Sequence, residues 1–388
     1  MRRLQARLPD QRRHPGHAHR RGDNRGVNRI LLVRLRQIGD VVFTTPAIRG
    51  LRERFRNAHI TYVVEPEAAP VVVGNPHLND VIVTPGRRGL AGFRDDLALI
   101  RRVRAAAYDT AIDFHGGPRS SLITWLSCAP VRVGYDIPGR GWMYTVRVPR
   151  PRHIRPRHAV ENQWDLLNAI GIPTPDADHS PVQMIADARV ADEVAERLAG
   201  AGVGVGACVI VVHVSAGNPF RRWPIESFVA LVAMLAQGGQ GRRLVVTSGP
   251  SEREAAAHVI EHARALLEPS EATRVLACGE FSLGEFRALM DMAALYIGGD
   301  SGPLHIASTS AVPIVGLYGP TLPVRSAPWR GPQWISEAVE IDGLPCRPCD
   351  QRTCLPGDFR CLTWLRPEQV VGAAERALAG ASQGSVRL

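Results

Sequence analysis

Three groups of side chains in this sequence have types and spacings suited to chemistry. Asp40 closes the segment Arg36-Gln-Ile-Gly-Asp40, directly after the apolar run Arg29-Ile-Leu-Leu-Val-Arg-Leu35. A carboxylate at the end of a buried strand can accept a proton as a general base, and it can equally cap the helix that follows. The stretch Gly298-Gly-Asp-Ser-Gly-Pro-Leu-His305 joins an apolar strand to a helix through a glycine turn. Free backbone N–H groups at such a turn suit a phosphate, with Asp300, Ser301, Gly302 and His305 around it. The third group is Cys346, Cys349, Cys354 and Cys361, spaced C-x2-C-x4-C-x6-C. Four thiolates in so short a segment suit a structural zinc; an iron–sulfur cluster and unligated thiols are the alternatives.

Composition removes several other chemistries. Every basic residue is arginine, so no Schiff-base lysine, pyridoxal phosphate anchor or Walker-type lysine exists in the chain. Any cation that clamps a phosphate must be the planar fork of arginine. The net charge of +10 is concentrated at one end, because residues 1–29 hold nine arginines against Asp10 and Asp23. The rest of the chain is close to neutral, which argues against nucleic acid as a partner. Seven cysteines, an odd number, do not suit an extracellular disulfide framework. The N-terminus lacks the apolar core of a signal peptide, and no run is long and apolar enough to span a bilayer, so a cytoplasmic location is expected. Gly-Asp-Ser-Gly also surrounds the nucleophile of trypsin-like proteases, but those are all-β, and the flanks here alternate helix and strand.

The elements that must position these groups follow from hydrophobic pattern. Residues 1–28 have no apolar periodicity and are expected to form a disordered basic arm. Strands are expected at 29–35, 59–64, 80–83, 110–113 and 131–135, with a helix from Val41 to Phe55 carrying Pro46 early and another over 93–107. Residues 138–158 hold Arg140, Arg147, Arg150, Arg152, Arg155 and Arg157 among prolines; such a basic loop can attract an anionic acceptor or a headgroup surface, and a loop that is simply solvated is the alternative. A second alternating run then brings strands at 208–213, 242–247, 275–278, 293–297 and 312–318. The pattern predicts an α/β chain of two halves, each a mainly parallel sheet wrapped by helices: 29–172, a linker at 173–189, and 190–345, followed by a Cys-rich segment and final helix at 346–388. A dinucleotide fingerprint is missing at the first strand, where Gly39 stands alone.

Taken in order, Gln37-Ile-Gly-Asp-Val41 with Pro46-Ala-Ile-Arg49, then Arg221-Arg-Trp-Pro224, then Gly299-Asp-Ser-Gly-Pro-Leu-His305 with Gly316-Leu-Tyr-Gly-Pro-Thr321, resemble glycosyltransferase family 9, the heptosyltransferases. The cysteine tail looks like that of the second-heptose transferases. The resemblance spans about residues 29–378. It implies a GT-B architecture, two facing Rossmann-like domains with a cleft between them, and an inverting transfer that requires no metal cofactor. Asp40 then occupies the base position. Arg222, Ser301, Gly302 and His305 become donor diphosphate contacts, with Arg222 where the family usually has lysine and Ser301 where threonine is usual. Asp300 would orient sugar hydroxyls or the loop, and Glu252 the nucleoside ribose. The implied partners are a nucleotide-sugar, taken as ADP-heptose, and a lipopolysaccharide-type or other glycan acceptor, with peripheral contact at the inner membrane. The final helix is expected to return to the first half. A nucleotide-sugar 2-epimerase of the same fold and a non-catalytic nucleotide- or glycan-binding protein are the alternatives.

Overall fold

The computed structural model describes residues 27–86, 89–150, 157–174 and 176–384. The basic arm therefore lies outside the described residues except for its last two, as do Arg152, His153 and Arg155 of the basic loop. The described residues build two six-stranded sheets in which every strand pair is parallel. The first comprises β1 (Arg29–Val33), β2 (His59–Val64), β3 (Asp80–Val83), β4 (Thr110–Asp113), β5 (Val131–Asp136) and β6 (Val146–Pro149), in the order β3-β2-β1-β4-β5-β6. The second comprises β7 (Cys208–His213), β8 (Arg242–Thr247), β9 (Val275–Leu276), β10 (Leu295–Gly299), β11 (Ile314–Tyr318) and β12 (Ser336–Glu340), in the order β12-β11-β10-β7-β8-β9. Central strands such as Ile30-Leu-Leu-Val33 and Val209-Ile-Val-Val212 are apolar at every position because helices cover both faces of a parallel sheet. This is the expected α/β, GT-B arrangement.

Strand order places the sites. In the first sheet the order reverses between β1 and β4, and in the second between β7 and β10. Ligands of open α/β sheets bind at that reversal, outside the carboxyl ends of the strands. Asp40 follows β1, and the Asp300–His305 loop follows β10. The two carboxyl edges face each other, since α1 (Ile38–Val42) packs on helix Gly302–Ala307. One core cluster is continuous across the junction, running from Ile30, Phe43 and Ile48 to Tyr296, Leu304 and Ile306.

Several expectations need correction. The helix expected from Val41 to Phe55 is two helices, α1 and α2 (Thr45–Arg54). The hydroxyls of Thr44 and Thr45 donate to the carbonyls of Val41 and Val42, and Pro46 has no N–H to continue the first helix. Inside the basic loop, β6 pairs with β5, so that segment is partly regular. The edge strand β12, Ser336-Glu-Ala-Val-Glu340, was hidden by its lack of an apolar run. Helix Pro367–Gly384 does not return to the first half. Val370, Ala373, Ala374 and Ala377 bury against the second sheet instead. Among the described residues no helix is long and apolar enough to cross a membrane.

Candidate active site

The first wall is built at the ends of β1 and β4. Gln37 has a left-handed backbone, φ 72°, immediately before α1. That conformation costs a non-glycine residue about 1 kcal/mol and turns the chain back so that Asp40 meets Arg34. Arg34 is 8% exposed. Its Nη1 donates to the carbonyl of Phe114 at 2.6 Å, and its Nη2 pairs with Oδ2 of Asp40. The Asp40 side chain stays 38% exposed, so its carboxylate is tethered yet open to solvent. Beside it, Asp113 is buried at the end of β4 and accepts from the backbone N–H groups of His115 and Gly116 and from the hydroxyls of Ser120 and Tyr144. Burial pushes the Asp113 carboxyl up, against the pull of those bonds. The His115 imidazole is pushed down to about 4 by burial and by Arg34, Arg36 and Arg150, with Asp40 opposing.

The second wall is built at the ends of β7 and β10. Arg222 donates from Nε to the carbonyl of Ala216 at 2.9 Å and pairs through Nη2 with Glu252 at 2.7 Å, while remaining 45% exposed. Trp223, buried, fixes this loop by donating from Nε1 to the carbonyl of Leu365. The Pro that follows is the N-cap of helix Ile225–Gln237, where its missing N–H leaves no intrahelical bond unmade. Asp300 is 3% exposed and committed to its own loop. Thr321 Oγ1 donates to its Oδ2 at 2.5 Å, and Arg221 Nη1 lies 3.2 Å from the same oxygen. Burial alone would raise this carboxyl, but His305, Arg221 and Thr321 outweigh it and hold it at about 2. Of the two roles expected for Asp300, orienting the loop is the one its contacts perform. Ser301 Oγ is buried and has no hydrogen-bond partner among the described residues. Helix Gly302–Ala307 has only six residues, so its contribution is the free N–H groups of one turn and little macrodipole.

The structure thus brings Asp40 and the Ser301–His305 turn into one place, with Arg222 and Glu252 paired on the loop beside them. His305 is 4% exposed, with Nε2 3.5 Å from Asp300 Oδ1 and its ring centroid 4.4 Å from that of Phe43, which belongs to the opposite wall. Three residues of the site carried no sequence expectation: Arg34, His115 and Arg221. A charge closing an apolar strand is the signal for Arg34, and the turn His115-Gly-Gly-Pro118 at a strand end is the signal for His115.

The cysteine-rich segment docks behind the donor loop. Gln351 accepts from Asn218 Nδ2 and Arg221 Nε, Cys349 N–H donates to the carbonyl of Pro320, and the Phe220 and Phe359 rings lie 5.3 Å apart. All four cysteines are free and line one cavity of about 570 Å³. Burial raises the Cys361 thiol to about 11, Cys349, Cys346 and Cys354 adding to the rise and Arg347 opposing it. The donor set suits a thiophilic ion. As the sulfurs stand, however, no three groups among the described residues are arranged to hold one.

Comparison with known proteins agrees with this geometry. Lipopolysaccharide heptosyltransferase 3 of Escherichia coli K12 is 28% identical over 349 residues, covering 89% of this chain and 96% of the relative. The crystal structure of a family 9 glycosyl transferase from Veillonella parvula superimposes with a TM-score of 0.77 at 25% identity, covering 91% of this chain and 98% of that one. Escherichia coli ADP-heptose lipopolysaccharide heptosyltransferase II superimposes at 0.71 with 18% identity, over 91% and 99% of the two chains. The model of glycosyltransferase family 9 (heptosyltransferase) matches residues 97–357. Because that match covers more than half of the sequence, and the two facing parallel sheets agree with it, the chain belongs to glycosyltransferase family 9.

Proposed function

We propose that this glycosyltransferase moves a heptose from ADP-heptose to a lipopolysaccharide core or other glycan acceptor, with inversion at the anomeric carbon and Asp40 as the base. The observation that carries the reading is the packing of α1, which bears Asp40, against the turn Ser301–His305. Asp40 takes the proton of the acceptor hydroxyl as its oxygen bonds to the anomeric carbon. On the opposite face of that carbon the bond to the β-phosphate oxygen breaks, and the electron pair leaves on ADP. The leaving group gains negative charge that fixed donors must meet. Arg222, Ser301 Oγ and the backbone N–H of Gly302 are assigned that task, and Glu252 the ribose.

The relatives' names support this substrate pair, since they describe heptosyltransferases of lipopolysaccharide and one names ADP-heptose. A lipid-linked acceptor of this kind would be met at a membrane surface, so a cytoplasmic chain in peripheral contact with the inner membrane is proposed as well. Domain limits at 29–172 and 190–345 are proposed as the acceptor and donor halves. Zinc is proposed as a structural ion of the four cysteines, which line one cavity but must draw closer together to hold it, and elemental analysis at one ion per chain is its test.

The decisive assay for the activity supplies ADP-heptose with and without a heptose-deficient core acceptor. ADP release that requires both substrates is the expected result. Conversion of the donor at the same rate without acceptor would replace transfer by an isomerising reaction.

A further inference from the structure

Gly39, the residue before Asp40, meets the donor loop directly. A Cβ built on it would lie 2.5 Å from Cδ2 of His305 and 3.3 Å from Nε2. The first distance is far inside van der Waals contact, so the ring or the helix would have to move. Nothing else requires glycine here. Gly39 is not among the residues with positive φ, and within a helix alanine is ordinarily favoured over glycine. The three atoms nearest to where a side chain would go all belong to the imidazole.

The ring is not free to swing aside. Phe43 packs against it at a centroid distance of 4.4 Å, and Asp300 lies 3.5 Å from its Nε2. Asp300 is in turn fixed by Thr321 and Arg221. One turn of helix away, a Cβ on Gly302 would come within 3.1 Å of Ile38 Cβ, so the two backbones approach closely at both ends of the contact.

We propose that His305 is a positioning residue for Asp40: the ring, held by the donor loop, is the surface on which Gly39 rests, and it sets where the next residue's carboxylate stands. The inference rests on Asp40 being the base and gives His305 a task other than direct contact with the diphosphate. Occupancy of the donor turn is thereby communicated to the opposite wall through one side chain. A base displaced by about 1 Å can lose roughly 100-fold in rate, so a contact of this kind has leverage on turnover.

The test is a double-mutant cycle in transfer from ADP-heptose. Gly39→Ala is expected to lower kcat roughly 10- to 100-fold with the donor KM changed by less than about 3-fold. Adding His305→Ala removes the obstacle, and the double variant is expected to be at least about 5-fold faster than Gly39→Ala alone. A Gly39→Ala enzyme at the normal rate, or a double variant no faster than the single, overturns the proposal. So does a His305→Ala enzyme that loses only donor affinity, since the ring would then be a ligand contact. Should Gly39→Ala not fold, hydrogen exchange on the unmodified chain with ADP reads the same coupling. ADP is expected to slow exchange at residues 38–42, and to fail to do so in His305→Ala; equal protection in both contradicts the inference. This exchange experiment is independent of chemistry, so failure of the base assignment, seen as full activity in Asp40→Asn, is distinguishable from failure of the coupling.

Discussion

Arg34 ties Asp40 to the end of β4. One guanidinium nitrogen donates to the carbonyl of Phe114 while another pairs with Oδ2 of the carboxylate. The pair leaves Oδ1 of Asp40 without a hydrogen bond among the described residues, and this is the oxygen available to a substrate proton. A guanidinium held between two acceptors in this way fixes direction as well as charge.

Arg34→Met should therefore reduce kcat by roughly 10- to 100-fold with little change in either KM, the signature of a lost alignment in the transition state. Arg34→Lys should recover part of the rate, because it restores the charge without the second, Phe114-directed bond. Steady-state kinetics with both substrates varied reads this directly. An unchanged kcat in Arg34→Met would mean that the pair is only structural.

Arg222 and Ser301 should act on the donor. Loss of a charge-assisted bond to a phosphate is worth about 1.5–3 kcal/mol, so Arg222→Ala should raise the donor KM roughly 10- to 100-fold. Ser301→Ala offers a sharper contrast. Its hydroxyl has no partner among the described residues, so its removal should leave Tm unchanged or slightly raised while donor affinity falls about 5-fold. A drop in Tm without loss of donor affinity would assign the hydroxyl to the fold.

His213 makes stability depend on pH. It is buried at the end of β7 between Thr247 and Ser215, and burial pushes its imidazole from 6.5 down to about 4. Between those values the unfolded chain binds the proton and the folded chain does not. The stabilisation is thus complete above pH 6.5 and is lost as pH falls toward 4, amounting to about 2 kcal/mol at pH 5. Urea unfolding at pH 7 and pH 5 measures it. His213→Asn should be less stable at pH 7, because two buried bonds change, but should lose less on acidification. His115 and His158, also held down at about 4, keep part of the slope in that variant. An identical slope in the two proteins would contradict the assignment.

Most of the sheet architecture was legible in the sequence because buried parallel strands are apolar throughout and glycine or proline marks their ends. Ile30–Val33 and Val209–Val212 could hardly be read otherwise. What escaped was structure without that signal. The polar edge strand Ser336–Glu340 has one face in solvent, and Val146–Pro149 was masked by arginines. The candidate site could be proposed from sequence where a motif lies in a single stretch, as at Ser301–His305. It was unreadable where function depends on pairing across the chain. Arg34 with Phe114, Arg221 with Gln351, and Gly39 with His305 join residues whose proximity is created only by folding. The inward commitment of Asp300 belongs to the same class, since its partner Thr321 lies on the far side of β11.

Removal of the acceptor proton by Asp40 is tested by Asp40→Asn, because the amide keeps the shape of the side chain and cannot accept that proton as a base. Transfer from ADP-heptose should fall by roughly 100- to 10,000-fold, with ADP binding changed by less than about 3-fold. Transfer at the normal rate by a correctly folded Asp40→Asn protein would contradict it.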